Sequence, residues 1–395
     1  LSATTLSPTE STRSSSAFST STSAVKSGLP AGGNPKVAFP NGTVVTSQGV
    51  CGAWRCGEVL GEIGKVRLSR LGAKRAALWE RTATALVTVL EHQDSAARAL
   101  LPTNERVRAG HALGELGDPR YPVALAQWRD EAFPASFGGA GYWRALPQGT
   151  YQIGGWEEQQ KAVELALPAF WVARYPVTIA QYAPFAEVGY RPGAKRWWTP
   201  AGWGWKQAQR WNQPWGWNNP RYHAANQPVI GVTWYEASAF CSWLTEQLAD
   251  QLPHGYLVCL PSEAEWEAAA SYAPGAPRRT YPWGEQEPTP ERAIYNASGL
   301  DAPAPVGCCP AGVAACGALD MAGNVWEWCA SSNSSYPAQS ARAKKDFTVG
   351  TYDVPLRGGA WYSDRTNVRC GARDWFDPGG RISFGFRIVV APRAH

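Results

Sequence analysis

The sequence predicts an α+β protein with little regular secondary structure, preceded by a small helical region. Composition is the first observation behind this: the 395 residues hold 21 Trp, 40 Gly and 31 Pro. That mix argues against helical bundles and for a loop-rich fold pinned by aromatic side chains. The second is helical periodicity between about residues 57 and 130. The third is a change of character near residue 144, where short strand-like runs alternate with long Gly/Pro/Trp-rich connections. Hydrophobic residues make up 44% and charged ones 17%, enough for a large core. The length suits two or three domains.

Residues 1–50 are rich in Ser, Thr, Gly and Pro and read as a flexible segment without a core of its own. Residues 51–143 read as a helical adaptor. Ala76, Leu78, Leu86, Val87 and Leu90 mark one amphipathic helix. Val107, Ala109, Ala112, Leu113 and Leu116 mark another, stopped by Gly117-Asp118-Pro119. Residues 144–395 form the third segment, with strands expected at Tyr151–Ile153, Phe170–Val172 and Pro228–Val232. Helices are expected over Thr233–Gln247 and Ser262–Ala270, the second opened by a capping box because Glu265 follows Ser262 by three residues. Seven Trp between Arg196 and Tyr222 suit a packed insert, with an aromatic platform for sugar or peptide as the alternative.

The net charge of +5 is mild and its Arg residues are scattered, so no nucleic-acid stripe is expected. No run of about 18 apolar residues suggests a membrane helix. The chain opens on Leu1 without a basic-then-apolar leader, which reads as a fragment of something longer, with an upstream domain as one expectation. The compartment is not indicated. Nine Cys include Cys308, Cys309 and Cys316 close together, read as buried thiols, with a disulfide or metal site as the alternative. Five scattered His do not show metal-ligand spacing.

The tail, Leu356 to Ile388, mixes a frame with a binding-type palette of Tyr, Ser, Asp, Asn, Gly, Trp and Phe. Arg357, Trp361, Arg369, Arg373, Trp375 and Arg387 read as the scaffold that holds the enclosed positions.

Several motifs in order carry a family resemblance. They are Tyr175-Pro176-Val177-Thr178, Asn226-Gln227-Pro228-Val229, Leu260-Pro261-Ser262-Glu263-Ala264-Glu265-Trp266-Glu267 and Tyr281-Pro282-Trp283-Gly284. Met321-Ala322-Gly323-Asn324-Val325-Trp326-Glu327-Trp328, Arg357-Gly358-Gly359 and Gly385-Phe386-Arg387 follow. This series resembles the formylglycine-generating-enzyme (sulfatase-modifying factor) domain, over about residues 144–393. The resemblance implies an elaborated C-type lectin fold. Fold alone does not settle function.

Enzymes of that family use a pair of copper-binding thiols, and the matching positions here hold Ser363 and Val368. Neither supports thiolate chemistry, so the expectation is a protein that is not an enzyme. A second branch, the sulfoxide synthases, needs three His on iron, which the scattered His do not supply. The tail is similar to that of variable proteins of diversity-generating retroelements, in which Asn codons become NNY codons. Between Trp361 and Gly385 there is no Lys, Glu, Gln or Met, which NNY codons cannot encode. The resemblance then implies a non-catalytic binding protein diversified over residues 356–388, whose partner is a protein or surface ligand. Its contact residues would be Tyr362, Ser363, Asp364, Thr366, Asn367, Asp374, Phe376, Asp377, Gly379, Gly380 and Ser383. The alternatives are an oxidase or accessory enzyme using Cys370 and another thiol, or an effector module of a larger protein. No cofactor is required by this reading. The resemblance also implies a structural calcium on Asp320, the carbonyls of Gly323 and Val325, and Glu327.

Overall fold

The computed structural model describes residues 36–38, 44–66, 70, 73–92, 101–157, 160–332, 336–337, 347–350 and 354–393. Most of the segment expected to be flexible lies outside them. Its end does not follow that expectation: after a β1 (Lys36–Ala38), β2 (Val44–Thr46) hairpin, α1 (Ser47–Ile63) begins at Ser47.

Three helices occupy the segment read as an adaptor: α1, α2 (Ala73–Glu91) and α3 (Thr103–Leu116). Leu60, Trp79, Leu86, Leu90, Ala109, Ala112 and Leu113 build their shared core. The expected period holds for Leu86 and Leu90, while Leu78 lies outside the core at 41% exposure. α3 also belongs to the larger body. Arg106, fully buried, donates to the carbonyls of Cys308 (2.5 Å) and Leu101 (2.7 Å). Asn226 Nδ2 donates to the Gly110 carbonyl at 2.7 Å. The short α4 (Leu125–Asp130) then leads to the first strand of the larger body.

The larger body holds two four-stranded sheets and a hairpin. One sheet runs β3 (Trp143–Leu146), β6 (Phe170–Ala173), β12 (Val389–Pro392), β7 (Tyr256–Cys259). β12 thus returns the C-terminal end to the middle of a sheet begun some 240 residues earlier, with Val389 opposite Val172 and Cys259. The other sheet runs β10 (Arg373–Phe376), β9 (Val354–Arg357), β8 (Trp326–Trp328), β11 (Phe384–Gly385). β4 (Gly149–Gly154) and β5 (Ala162–Leu167) form the hairpin.

The helices between them follow their caps. α5 (Ile179–Val188) starts at Thr178, α6 (Pro200–Gln209) at Thr199, α7 (Trp234–Gln247) at Thr233 and α8 (Glu263–Ser271) at Ser262. Ser262 accepts from the Glu265 N–H, and Glu265 accepts from the Ser262 N–H at 2.8 Å, the expected capping box. Pro228–Val232 is not a strand; it makes one isolated bridge, between Thr178 and Pro228, because Pro228 has no N–H to extend a ladder. Most of the Trp insert packs inward: Trp197 and Trp198 are buried, and Trp215 alone of its indoles is strongly exposed, at 51%. The mixed architecture with little regular structure agrees with the predicted fold class. No described helix is long and apolar enough to cross a membrane.

Candidate functional site

α8 sets the base of the tail. Its pattern places Glu263 and Glu267 one turn apart on one face, and both are buried. Arg357, the last residue of β9, reaches between them with no exposed surface, Nε 2.8 Å from Glu263 and Nη2 2.6 Å from Glu267. Burial alone would lower the Arg357 pKa; the two carboxylates, with Tyr336, instead hold it far above the ordinary value. Arg373 stands opposite Arg357 in the β9–β10 register and closes a bidentate pair with Glu263, 2.6 and 2.9 Å. Its guanidinium lies 3.9 Å from the Tyr336 ring, and the Tyr336 hydroxyl donates to Glu267. Arg387 plays the same part for β8, bonding both oxygens of Glu327 at 2.7 and 2.8 Å. Arg357 and Arg387 are fully buried and Trp361 is buried, while Arg373 is partly so.

Two other frame residues face outward. Trp375 is 47% exposed. Arg369 donates Nε to the Thr366 carbonyl at 3.0 Å and has no carboxylate partner among the described residues. Both line a recess of about 280 Å³ beside Trp156, Gln160, Asn367 and Arg373. Trp156 forms one wall. Its indole N–H donates to Glu267 at 2.9 Å, and Arg278 lies 3.8 Å from its ring. Gly371 lies flat on that ring, where a Cβ would sit 2.3 Å from it.

The other expected contact residues divide. Tyr362, Asp364, Thr366 and Asp374 are exposed; Asn367, Phe376, Gly380 and Ser383 are half-buried. Tyr362 accepts a bond from Ser383 at 3.1 Å. Asp364 caps the turn after it, accepting from the Thr366 N–H at 2.9 Å and its hydroxyl at 2.6 Å. Ser363, Asp377 and Gly379 are buried and do not belong to a surface. Ser363 Oγ accepts from the Ala360 N–H at 2.9 Å. Asp377 accepts from the Gly379 N–H at 2.7 Å, and Gly379 leaves room for the Trp205 indole.

The family's redox groups do not fit these residues. Ser363 is committed to its own turn, and Val368 is buried among Tyr281, Ala293, Tyr295 and Ala322. Cys370 and Cys329 are fully buried, and burial pushes both thiols well above their usual range, against a relocated thiolate pair. Among the described residues no three or more His, Cys, Asp or Glu converge as metal ligands. The carboxylates of the expected calcium cradle are otherwise engaged: Glu327 binds Arg387 and, through Oε2, the Trp266 indole at 2.7 Å, while Asp320 accepts from the Gly307 N–H at 2.7 Å.

The sequence reading missed Trp156, Gln160 and Tyr336 as neighbours of the tail. It also gave Arg369 a buried role. The spacing of Glu263 and Glu267 puts them on one helix face, but it does not say that this face is buried against Arg357 and Arg373.

Residues 144–392 match the model of the "Sulfatase-modifying factor enzyme 1-like domain". The hercynine oxygenase of Mycobacterium tuberculosis (strain ATCC 25618 / H37Rv) is 34% identical over 249 residues, covering 59% of this chain and 55% of that protein. The chain thus spans about half the length of that relative. The formylglycine-generating enzyme of the same organism is 30% identical over 230 residues, covering 46% of this chain and 71% of that protein. Among solved structures, Treponema denticola variable protein 1 aligns with a TM-score of 0.45 at 20% identity, covering 63% of this chain and 95% of that one.

The sequence relatives are enzymes, which overturns the expectation of a non-catalytic, retroelement-diversified binding protein. That expectation rested on the absence of a thiol pair at Ser363 and Val368, and the absence of one branch's residues is not the absence of catalysis. With its motifs in order, its buried Arg–Glu base and a model match over more than half its length, this chain belongs to the sulfatase-modifying factor enzyme 1-like family.

Proposed function

We propose that residues 144–392 form the substrate-binding part of an oxygenase- or oxidase-type enzyme, and that the recess between Trp156 and Trp375 takes a small zwitterion of the hercynine kind. The observation that carries this is the recess itself. Its lining brings together Arg369, which has no carboxylate partner among the described residues, the indoles of Trp156 and Trp375, and Glu157. Hercynine is histidine with a trimethylated amine, so it presents a carboxylate, a quaternary ammonium and an imidazole. A planar guanidinium suits the carboxylate. The exposed Trp375 indole face and the Glu157 carboxylate suit the quaternary ammonium, which no hydrogen bond can recognise. Asn367 and Gln160 supply amide groups for the ring nitrogens. The named activity of the relatives supports the choice of ligand. In this reading the described residues of the recess bind and orient the substrate.

Calorimetric titration with hercynine, and with histidine as the control, tests the reading. Saturable binding of hercynine at least tenfold tighter than histidine supports it. Equal or absent binding of both rejects it.

A further inference from the structure

Away from the recess, where β3 and β6 meet the end of α2, four buried donor atoms have no acceptor among the described residues. They are Arg144 Nε, Arg174 Nε, the Tyr175 hydroxyl and Arg120 Nη1. Buried donors in folded proteins are almost always satisfied, by protein, water or an ion. Leaving one unmade is costly, and more so for a charged group. Four together around one residue therefore call for a ligand.

They surround Tyr175, which has no exposed surface. The Arg174 and Arg120 guanidiniums lie 5.1 and 5.6 Å from its ring centroid. Arg144 sits on β3 beside the end of β6, one register step from Ala173, and its charge acts on both Arg174 and Tyr175.

The neighbouring acceptors are already engaged. Asp118 binds Arg120 through both oxygens, at 2.9 and 2.6 Å. Glu91, at the end of α2, pairs with Arg174 Nη2 at 2.9 Å. Asp320 takes the Gly307 N–H. Arg144 donates Nη1 to the Gly139 carbonyl and has no carboxylate partner among the described residues. Glu91 and Arg174 are partly exposed, at 36% and 21% of their side chains, so the site lies at the edge of the junction.

We propose that Arg144, Arg174 and Tyr175, closed off by Arg120, hold one small monovalent anion of chloride size at the junction of the helical adaptor and the sheet. The anion accepts the orphan N–H and O–H donors. Because Glu91 belongs to α2, its pair with Arg174 ties occupancy of the site to docking of the adaptor. The inference is independent of the recess and of what binds there.

The full chain crystallised and soaked in bromide gives the direct test. An anomalous peak within hydrogen-bond distance of Arg144 Nε and the Tyr175 hydroxyl is expected. Ordered water alone at that place, or bromide only at surface arginines, overturns the proposal. In solution, Tm should rise by about 2 °C or more when chloride replaces gluconate at constant ionic strength. Arg144→Met should remove that rise. If Arg144→Met fails to fold, Tyr175→Phe keeps the packing and removes one donor, and should shift the chloride midpoint to higher concentration. A chloride response unchanged in Tyr175→Phe, or absent in the wild type, contradicts the site.

Discussion

Arg357 and Glu267 face each other at 2.6 Å with no exposed surface on either side chain, and the tail is built on that pair. Glu267 also accepts from the Gly154 N–H and the Trp156 indole, each at 2.9 Å, so one carboxylate joins α8, β9 and the β4–β5 region. Removing one partner of a buried pair leaves the other charged and unpaired. Arg357→Met is expected to destabilise the fold by about 3–5 kcal/mol. Denaturant unfolding of wild type and variant checks this, and a loss under about 1 kcal/mol would show that the pair is dispensable.

Trp375 and Arg369 should separate binding from stability. Both line the recess, and Trp375 is 47% exposed. Trp375→Ala and Arg369→Ala are each expected to change stability by no more than about 0.5 kcal/mol. Each should weaken hercynine at least tenfold, about 1.4 kcal/mol. Paired thermal melts and titrations read the two effects apart.

Gly371 tests the recess wall. A Cβ there would meet the Trp156 ring at 2.3 Å, on backbone that is not left-handed, so the cost is steric. Gly371→Ala should displace the indole, cost about 1–3 kcal/mol of stability and weaken hercynine. A variant with wild-type affinity and a shifted Trp156 in its crystal structure would show that Trp156 makes no contact with the ligand.

Asp320 gives the fold a pH signature. Burial, the largest cause, pushes its carboxyl up to about 6, against the Gly307 N–H and Arg387, which lower it. A raised acid pKa means that the folded state holds its proton more tightly. That stability is fully present below the unfolded value and is lost as pH rises through about 6. Asp320→Asn removes the titration and keeps the acceptor for Gly307. Relative to wild type it should gain about 2 kcal/mol between pH 4 and pH 7.5, read from denaturant midpoints at each pH. A constant difference across that range would exclude a raised Asp320.

Local signals read well and distant ones did not. The Ser262–Glu265 capping box and the Thr233 cap depend on residues three apart, so α7 and α8 were legible. Gly117, in left-handed conformation at φ 86°, ends α3 as the sequence implied. Arg357 of Arg-Gly-Gly and Arg387 of Gly-Phe-Arg each pair with buried Glu, contacts that the motifs alone do not spell out. Trp156 was not legible: it reaches the tail through Glu267 and Gly371, more than 100 residues away, with no periodic mark. Arg369 and Ser363 were misassigned for one reason. In a loop without secondary structure, sequence spacing does not say which side chain turns inward, and here Ser363 turns in and Arg369 turns out.

In the proposed reading the recess between Trp156 and Trp375 recognises a carboxylate-bearing zwitterion through Arg369. Hercynine titrated calorimetrically into the wild-type chain and into Arg369→Ala separates that reading from its failure. Saturable one-to-one binding to the wild type and at least a tenfold loss in the variant are expected. Equal affinity for both, or no heat in either, would contradict it.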